Sequence, residues 1–314
     1  MLINETDPVN GNPWGIKFMT MFHMSNDSHL FHTWDELEAD GWTLNGNVFE
    51  QTVIAHENRE ARFERMLPLY EAKMIHQFDH RWATYEPAES IRDVTLAEKQ
   101  DPTFVPLPRY WVREEVVRHR LGDRWGEEWI LGWRNICRST DERTTIGSRF
   151  PAAAVGQSLP LILTRGHAPL LQAIISSFVF DFVARQKLGG INMTFGYFSQ
   201  FAAPLPSLQA PWLTEAVEWF ERRSLHLQSP ASWRVPSRDV VRGELDAACF
   251  HIYGLGREEV EYVMDTFPIV KRKDEAAYGT YRTKDLILSA YDAMAEAKSS
   301  GRTYQPPWPQ EVSA

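Results

Sequence analysis

A change of rhythm near the middle of the chain limits what it can fold into more than any single motif does. Over residues 144–164 β-branched and apolar residues come in short runs, 144–146, 152–155 and 159–164, punctuated by Arg149-Phe150-Pro151 and Gly156. That is the pattern of short strands. Beyond Pro211 they recur at helical spacing over 212–227, 238–253, 257–267 and 283–298. Residues 170–185 are apolar nearly all round, which predicts an inner helix. The expectation is an α+β chain: a mixed domain of short strands around an inner helix, followed by a helical C-terminal region.

Three segments follow. Residues 1–60 carry turn signals at Asn10-Gly11-Asn12-Pro13, Asn26-Asp27-Ser28 and Asn45-Gly46-Asn47, and read as an irregular connecting segment with little core of its own. Within it, 16–24 is a strand candidate and 34–39 a short helix with Thr33 as N-cap. Residues 61–210 form the mixed domain, with a polar connection over 86–108 (prolines at 87, 102, 106 and 108) and expected helices over 110–121 and 127–137. Residues 211–314 are the helical region. A pair of helices joined by Gly254-Leu255-Gly256 has the outline of a helix-turn-helix, but Glu258, Glu259, Glu261 and Asp265 on its second helix would repel phosphates.

Residues 67–85 concentrate Lys73, Arg81, His76, His80 and four aromatic side chains, although charged groups are seldom buried without partners. On a helix His76 and His80 would share a face. A zinc site needs a third protein ligand, and the sequence nominates none with diagnostic spacing. No nucleophile or paired carboxylate marks an acid-base centre around His76, Asp79 and His80. Phosphate-binding loops, dinucleotide fingerprints and nucleophile elbows are absent, and Asn12-Pro13-Trp14 lacks the second proline of the Asn-Pro-Pro-aromatic motif of amino-methylating enzymes. The two cysteines, Cys137 and Cys249, make no disulfide framework. No signal peptide or membrane-length apolar run is visible, so a cytoplasmic protein without membrane contact is expected.

The formal charge of -9 argues against a generic polyanion binder, yet its placement is uneven. Residues 1–60 hold ten acids against Lys17 and Arg59, whereas 109–190 hold twelve bases, eleven of them arginine, against eight acids. An anionic partner would dock on that middle portion, where guanidinium groups can grip phosphate or guanine edges in bidentate fashion. At Arg185-Gln186-Lys187-Leu188-Gly189-Gly190 two glycines after a helix permit positive φ and close backbone approach beside two cations.

Several long strings carry a resemblance. They are Leu67-Pro-Leu-Tyr-Glu-Ala-Lys-Met-Ile-His-Gln-Phe-Asp-His-Arg81, Pro108-Arg-Tyr-Trp-Val112, Arg134-Asn-Ile-Cys-Arg-Ser-Thr-Asp-Glu-Arg-Thr144, Ala184-Arg-Gln-Lys-Leu-Gly-Gly190, Leu245-Asp-Ala-Ala-Cys-Phe-His-Ile-Tyr-Gly-Leu255 and Phe267-Pro-Ile-Val-Lys-Arg-Lys-Asp274. Together they resemble the region that follows the catalytic domain in large adenine-specific DNA methyltransferases of type II restriction-modification systems and related phage-defence systems such as DISARM. Residues 185–206 also resemble the close of target-recognition modules in type I specificity subunits.

The resemblance implies that this region recognises and positions double-stranded DNA while a catalytic domain, outside this chain, binds S-adenosylmethionine and methylates a flipped adenine. This chain itself carries no catalytic motif and no cofactor site, and reads as a fragment or a separately encoded recognition subunit. The implied DNA contacts are Lys73, Arg81, Arg134, Arg138, Arg143, Arg185 and Lys187 on phosphates or base edges, Gln186 and Asn192 as base readers, and Gly189 and Gly190 at the backbone approach. The alternative expectation is a protein-interaction module that docks a methyltransferase, nuclease or helicase partner without reading DNA.

Overall fold

The structure, a computed structural model, describes residues 1–54, 61–86, 90–233 and 237–308. The chain is α+β, and its strands and helices are sorted between two compact units. One unit comprises Lys17–Asn135 and Ser148–Leu163; the other comprises Met1–Ile16, Ile136–Gly147 and Thr164–Ala314. These divisions differ from the boundaries expected near 60 and 210, because the chain passes from one unit to the other four times, and periodicity along a sequence does not register such crossings. Residues 55–60, Pro87 and the acids at 57, 60 and 89 lie outside the described residues.

The first unit holds the strands. A four-stranded sheet runs in the order β1 (Lys17–Met19), β11 (Leu161–Leu163), β8 (Trp129–Trp133), β9 (Gly147–Pro151). A second sheet is built on β4 (Ala61–Tyr70), which pairs antiparallel with β3 (Val48–Ile54) and β7 (Trp111–Arg113) and parallel with β10 (Ala154–Val155), while β2 (Thr43–Asn45) continues beyond β3. Strands β5 (Ala83–Tyr85) and β6 (Ile91–Asp93) form a small pair. Helices α1 (Trp34–Ala39), α2 (Leu96–Gln100) and α3 (Glu114–Leu121) complete the unit.

Pro68 sits inside β4 without breaking it. Leu69 N–H donates to Tyr110 O toward β7, so strand alternation turns the donor that Pro68 lacks to the other side, past the start of β3. Phe49, Met66, Leu69, Tyr70, Val112 and Trp111 are buried around this strand. Residues 1–54 therefore supply real core: Phe22, Leu37 and Phe49 are completely buried, contrary to the expectation of an irregular segment with little core. The predicted helix 34–39 is present, with Thr33 and Glu36 forming a capping box. The predicted helix 127–137 is instead β8. Gly132 faces Pro160 O so closely that a Cβ would lie 2.9 Å from it, and the flanking Ile130, Leu131 and Trp133 are buried as in a strand covered on both faces.

The second unit is helical: α4 (Ala168–Ser176), α5 (Phe178–Lys187), α6 (Phe195–Ser199), α7 (Ala216–Gln228), α8 (Ser237–Ile252), α9 (Arg257–Asp265), α10 (Pro268–Tyr278) and α11 (Arg282–Ser300). The apolar segment expected as one inner helix is two, bent by 66° at Ser177. Ser177 takes an extended ψ of 155° and its side chain accepts from Phe180 N–H, which caps α5. This inner pair belongs to the helical unit rather than to the strands. No single helix among the described residues is long and apolar enough to cross a membrane. At Gly243 a Cβ would meet Leu286 Cβ at 3.2 Å, so the bare backbone there lets α8 and α11 approach closely.

Candidate nucleic-acid interface

In the strand unit, residues 67–85 form no α-helix, only a single 3-10 turn over Ala72–Met74. After β4 the chain turns at Phe78, whose φ is +57°, and closes an antiparallel bridge between His76 and Asp79, so His76 and His80 share no helical face. His76 stacks on Trp82 with ring centroids 4.3 Å apart. Burial pushes the pKa of His80 down to about 4, although the residue keeps part of its surface accessible. Among the described residues no group of three or more His, Cys, Asp or Glu side chains is arranged to hold a metal ion.

The charged residues of this stretch are committed internally. Asp79 Oδ2 accepts from Lys99 Nζ at 2.9 Å, both residues are buried, and the ammonium lies 3.9 Å from the Trp82 ring centroid. Arg81, 5% exposed, donates to the carbonyls of Lys99, Asp101 and Phe104. Arg134 donates from Nε and Nη2 to Ile75 O. Lys73 is exposed but rests near Glu71 and over the Tyr85 ring. Arg81 and Arg134 thus tie loops together, and Lys73 alone of the three presents its charge to solvent.

A cleft of about 310 Å³ lies elsewhere in this unit, along the part of β4 that β7 does not reach. Its cations are matched by acids: Arg62 pairs with Glu115, Arg65 with Glu114 and Arg113 with Glu64. Such a lattice offers an anion little net attraction.

The helical unit contains a buried hub around Asp181, a residue with no solvent exposure. Its carboxylate accepts from Arg143 Nε at 2.8 Å, Arg185 Nε at 2.9 Å and the backbone N–H of Thr144 at 2.9 Å. Arg143 also donates to Ser176 O and lies 3.9 Å from the Phe178 ring centroid; Arg185 lies 4.0 Å from that of Phe267. Asp246 accepts from Phe178 N–H at 2.7 Å, and burial pushes its pKa up to about 6 against the opposing pull of Arg143. Burial also raises the thiol pKa of Cys137 to about 12, leaving it protonated and unreactive at neutral pH.

This hub pins the surface above it. Arg185 Nη2 donates to the carbonyls of Asp141 and Glu142, Cys137 N–H donates to Ile191 O, and Ile136 forms an antiparallel bridge with Asn192. Segments 136–142 and 185–192 are thereby held side by side, and Arg138, Gln186, Lys187, Gly189, Gly190 and Asn192 are all exposed on them. Arg138 makes no ion pair among the described residues; Lys187 Nζ donates to Gln200 O. Neither Gly189 nor Gly190 has the positive φ that the paired glycines suggested, because Leu188 ends α5 by turning extended. Lys273 of α10 reaches Glu142 at 2.6 Å, and its neighbours Lys271 and Arg272 are exposed.

Of the eleven residues singled out in the sequence, six share this surface, Lys73 lies on the other unit, and Arg81, Arg134, Arg143 and Arg185 serve as internal struts. Residue type did not separate struts from surface cations, since a guanidinium suits buried carbonyls as well as phosphates. The sequence reading did not single out Asp181 and Asp246 as partners; an acid inside an apolar helix was the signal for the first. It also left the Lys271-Arg272-Lys273 run of α10 without a role. Comparison with protein-family models, curated proteins and solved structures finds no match to this chain.

Proposed function

We propose that this chain recognises and positions duplex DNA for an adenine-specific DNA methyltransferase of a restriction-modification or phage-defence system, the catalytic domain and its S-adenosylmethionine lying outside the chain. One observation supports the reading above others: two segments nearly fifty residues apart in sequence, all but Ile191 and Asn192 of them within the strings that resemble that family, are brought together to expose Arg138, Gln186, Lys187 and Asn192 on one surface. Arg138 and Lys187 supply phosphate contacts, and Gln186 and Asn192 supply amides suited to adenine edges. Arg143 and Arg185 act one layer below, holding the two segments in register through Asp181 and the loop carbonyls.

The overall negative charge makes binding by the isolated chain weak, so the test is fluorescence anisotropy with short duplexes from low to physiological salt. Affinity is expected to fall steeply with salt and to drop in an Arg138→Ala/Lys187→Ala double variant. Binding that ignores both salt and these substitutions sinks the reading. The competing role, a module that docks a methyltransferase, nuclease or helicase without touching DNA, draws on Tyr262, exposed on α9 against Phe182. It expects a stable complex on size-exclusion chromatography in the absence of DNA.

A further inference from the structure

The surface described above has a feature that its charge does not explain. Ile136 is 64% exposed and Ile191 57% exposed, on two chain segments that a backbone hydrogen bond and a bridge hold fixed. In an antiparallel pair the side chains of opposed residues leave on the same side, so Ile136 emerges beside the Asn192 amide. Ile191 stands opposite buried Cys137 and leaves on the other side. Arg138 follows two residues after Ile136, and Lys187 closes α5 four residues before Ile191. Asp141, the acid nearest to Arg138 in sequence, accepts from its backbone N–H.

The exposed Ile136 side chain, bordered by the Asn192 amide and by Arg138 two residues on, matches a partner whose rim is anionic and whose interior is apolar. A DNA duplex has that layering, with phosphates outside and stacked bases within. A purely apolar patch on a protein would match Ile136 and leave Arg138 and Lys187 without a counterpart.

Resting on the DNA reading above, we infer that the paired segment around Ile136 and Asn192 acts as a wedge: Ile136 inserts between base pairs, Asn192 hydrogen-bonds the edge of a base so exposed, and Arg138 and Lys187 hold the flanking phosphates. Insertion unstacks one step and kinks the duplex, most readily at pyrimidine–purine steps. No bond is made or broken.

The experiment uses the full chain and a short duplex rich in TA and CA steps, with 2-aminopurine beside those steps and a fluorophore on one end for anisotropy. The wild-type chain is expected to bind with salt-dependent affinity and to raise 2-aminopurine emission. Ile136→Ala is expected to cut that rise by about fivefold while changing affinity by less than about threefold, and Ile136→Leu to restore it. Arg138→Ala is expected to weaken affinity instead. Salt-dependent binding with no 2-aminopurine response, or an unchanged response in Ile136→Ala, overturns the wedge and leaves the DNA reading standing. Absence of salt-dependent binding by the wild-type chain overturns both. A dimer of the free chain that Ile136→Ala abolishes while the 2-aminopurine response persists assigns the isoleucine to protein contact and overturns the wedge.

Discussion

Arg143 and Asp181 form an ion pair of 2.8 Å with side chains 4% and 0% exposed, and this pair ties the 138–145 loop to α5. A charge withdrawn so far from water is stable only while its partner stays. Arg143→Met is expected to cost about 3–5 kcal/mol in urea unfolding, because Asp181 keeps only Arg185 and backbone donors. Because Asp181 also holds Arg185 and the Thr144 N–H, combining Arg143→Met with Asp181→Asn is expected to cost less than the sum of the two single losses; additive losses would refute the ion-pair account.

Asp246 gives the helical unit a pH dependence opposite to that of a salt-bridged carboxylate. Its pKa is raised to about 6, so the fold favours the protonated form. That advantage is fully present below the unfolded value of 3.8 and is lost as pH rises through about 6. Asp246→Asn keeps an oxygen for Phe178 N–H and stays neutral. The variant is expected to be more stable than wild type by up to about 3 kcal/mol at pH 8, and by nearly nothing at pH near 4, in paired denaturant titrations.

The cluster of Lys73, Asp79 and Lys99 in the strand unit separates burial from exposure within one short segment. Lys99→Met strands the buried Asp79 carboxylate and is expected to cost about 3 kcal/mol or more. Lys73→Ala, removing an exposed ammonium near Glu71, is expected to stay within about 0.5 kcal/mol. Thermal unfolding followed by circular dichroism reads both.

The salt slope of DNA binding distinguishes surface cations from struts. Arg138→Ala and Lys187→Ala are each expected to lower the slope by about one while leaving the melting temperature unchanged. Arg81→Ala is expected to lower the melting temperature, because three backbone carbonyls lose their donor. A slope change in Arg81→Ala without destabilisation would reverse this assignment.

Much of the helical region was legible because its periodicity is local. The segments read as 238–253 and 257–267 match α8 and α9 within two residues, and Thr33 was recognised as a cap. Helix α10 was missed: its sequence Pro268-Ile-Val-Lys-Arg-Lys-Asp buries only Val270, so it carries almost no apolar stripe. Residues 129–133 misled because aromatic and aliphatic residues in a short run suit a helix or a covered strand equally, and only the close approach of Pro160 to Gly132 decides. The candidate site was legible as residue types but not as depth. Whether an arginine meets solvent depends on Asp181 or on the Ile75, Asp101 and Glu142 carbonyls, partners set by tertiary contacts.

The four crossings of the chain impose a timetable on synthesis. The strand unit possesses all of its residues once Leu163 has left the ribosome, and can close while translation continues. Residues 1–16 must wait far longer, since Leu2 and Ile3 donate to the carbonyls of Phe201 and Ser199, and the Trp14 indole to that of Pro204. The earliest part of the protein to be made is therefore among the last to be secured, and a nascent chain from which residues up to 163 have just emerged would carry a finished sheet unit with residues 1–16 still unsecured.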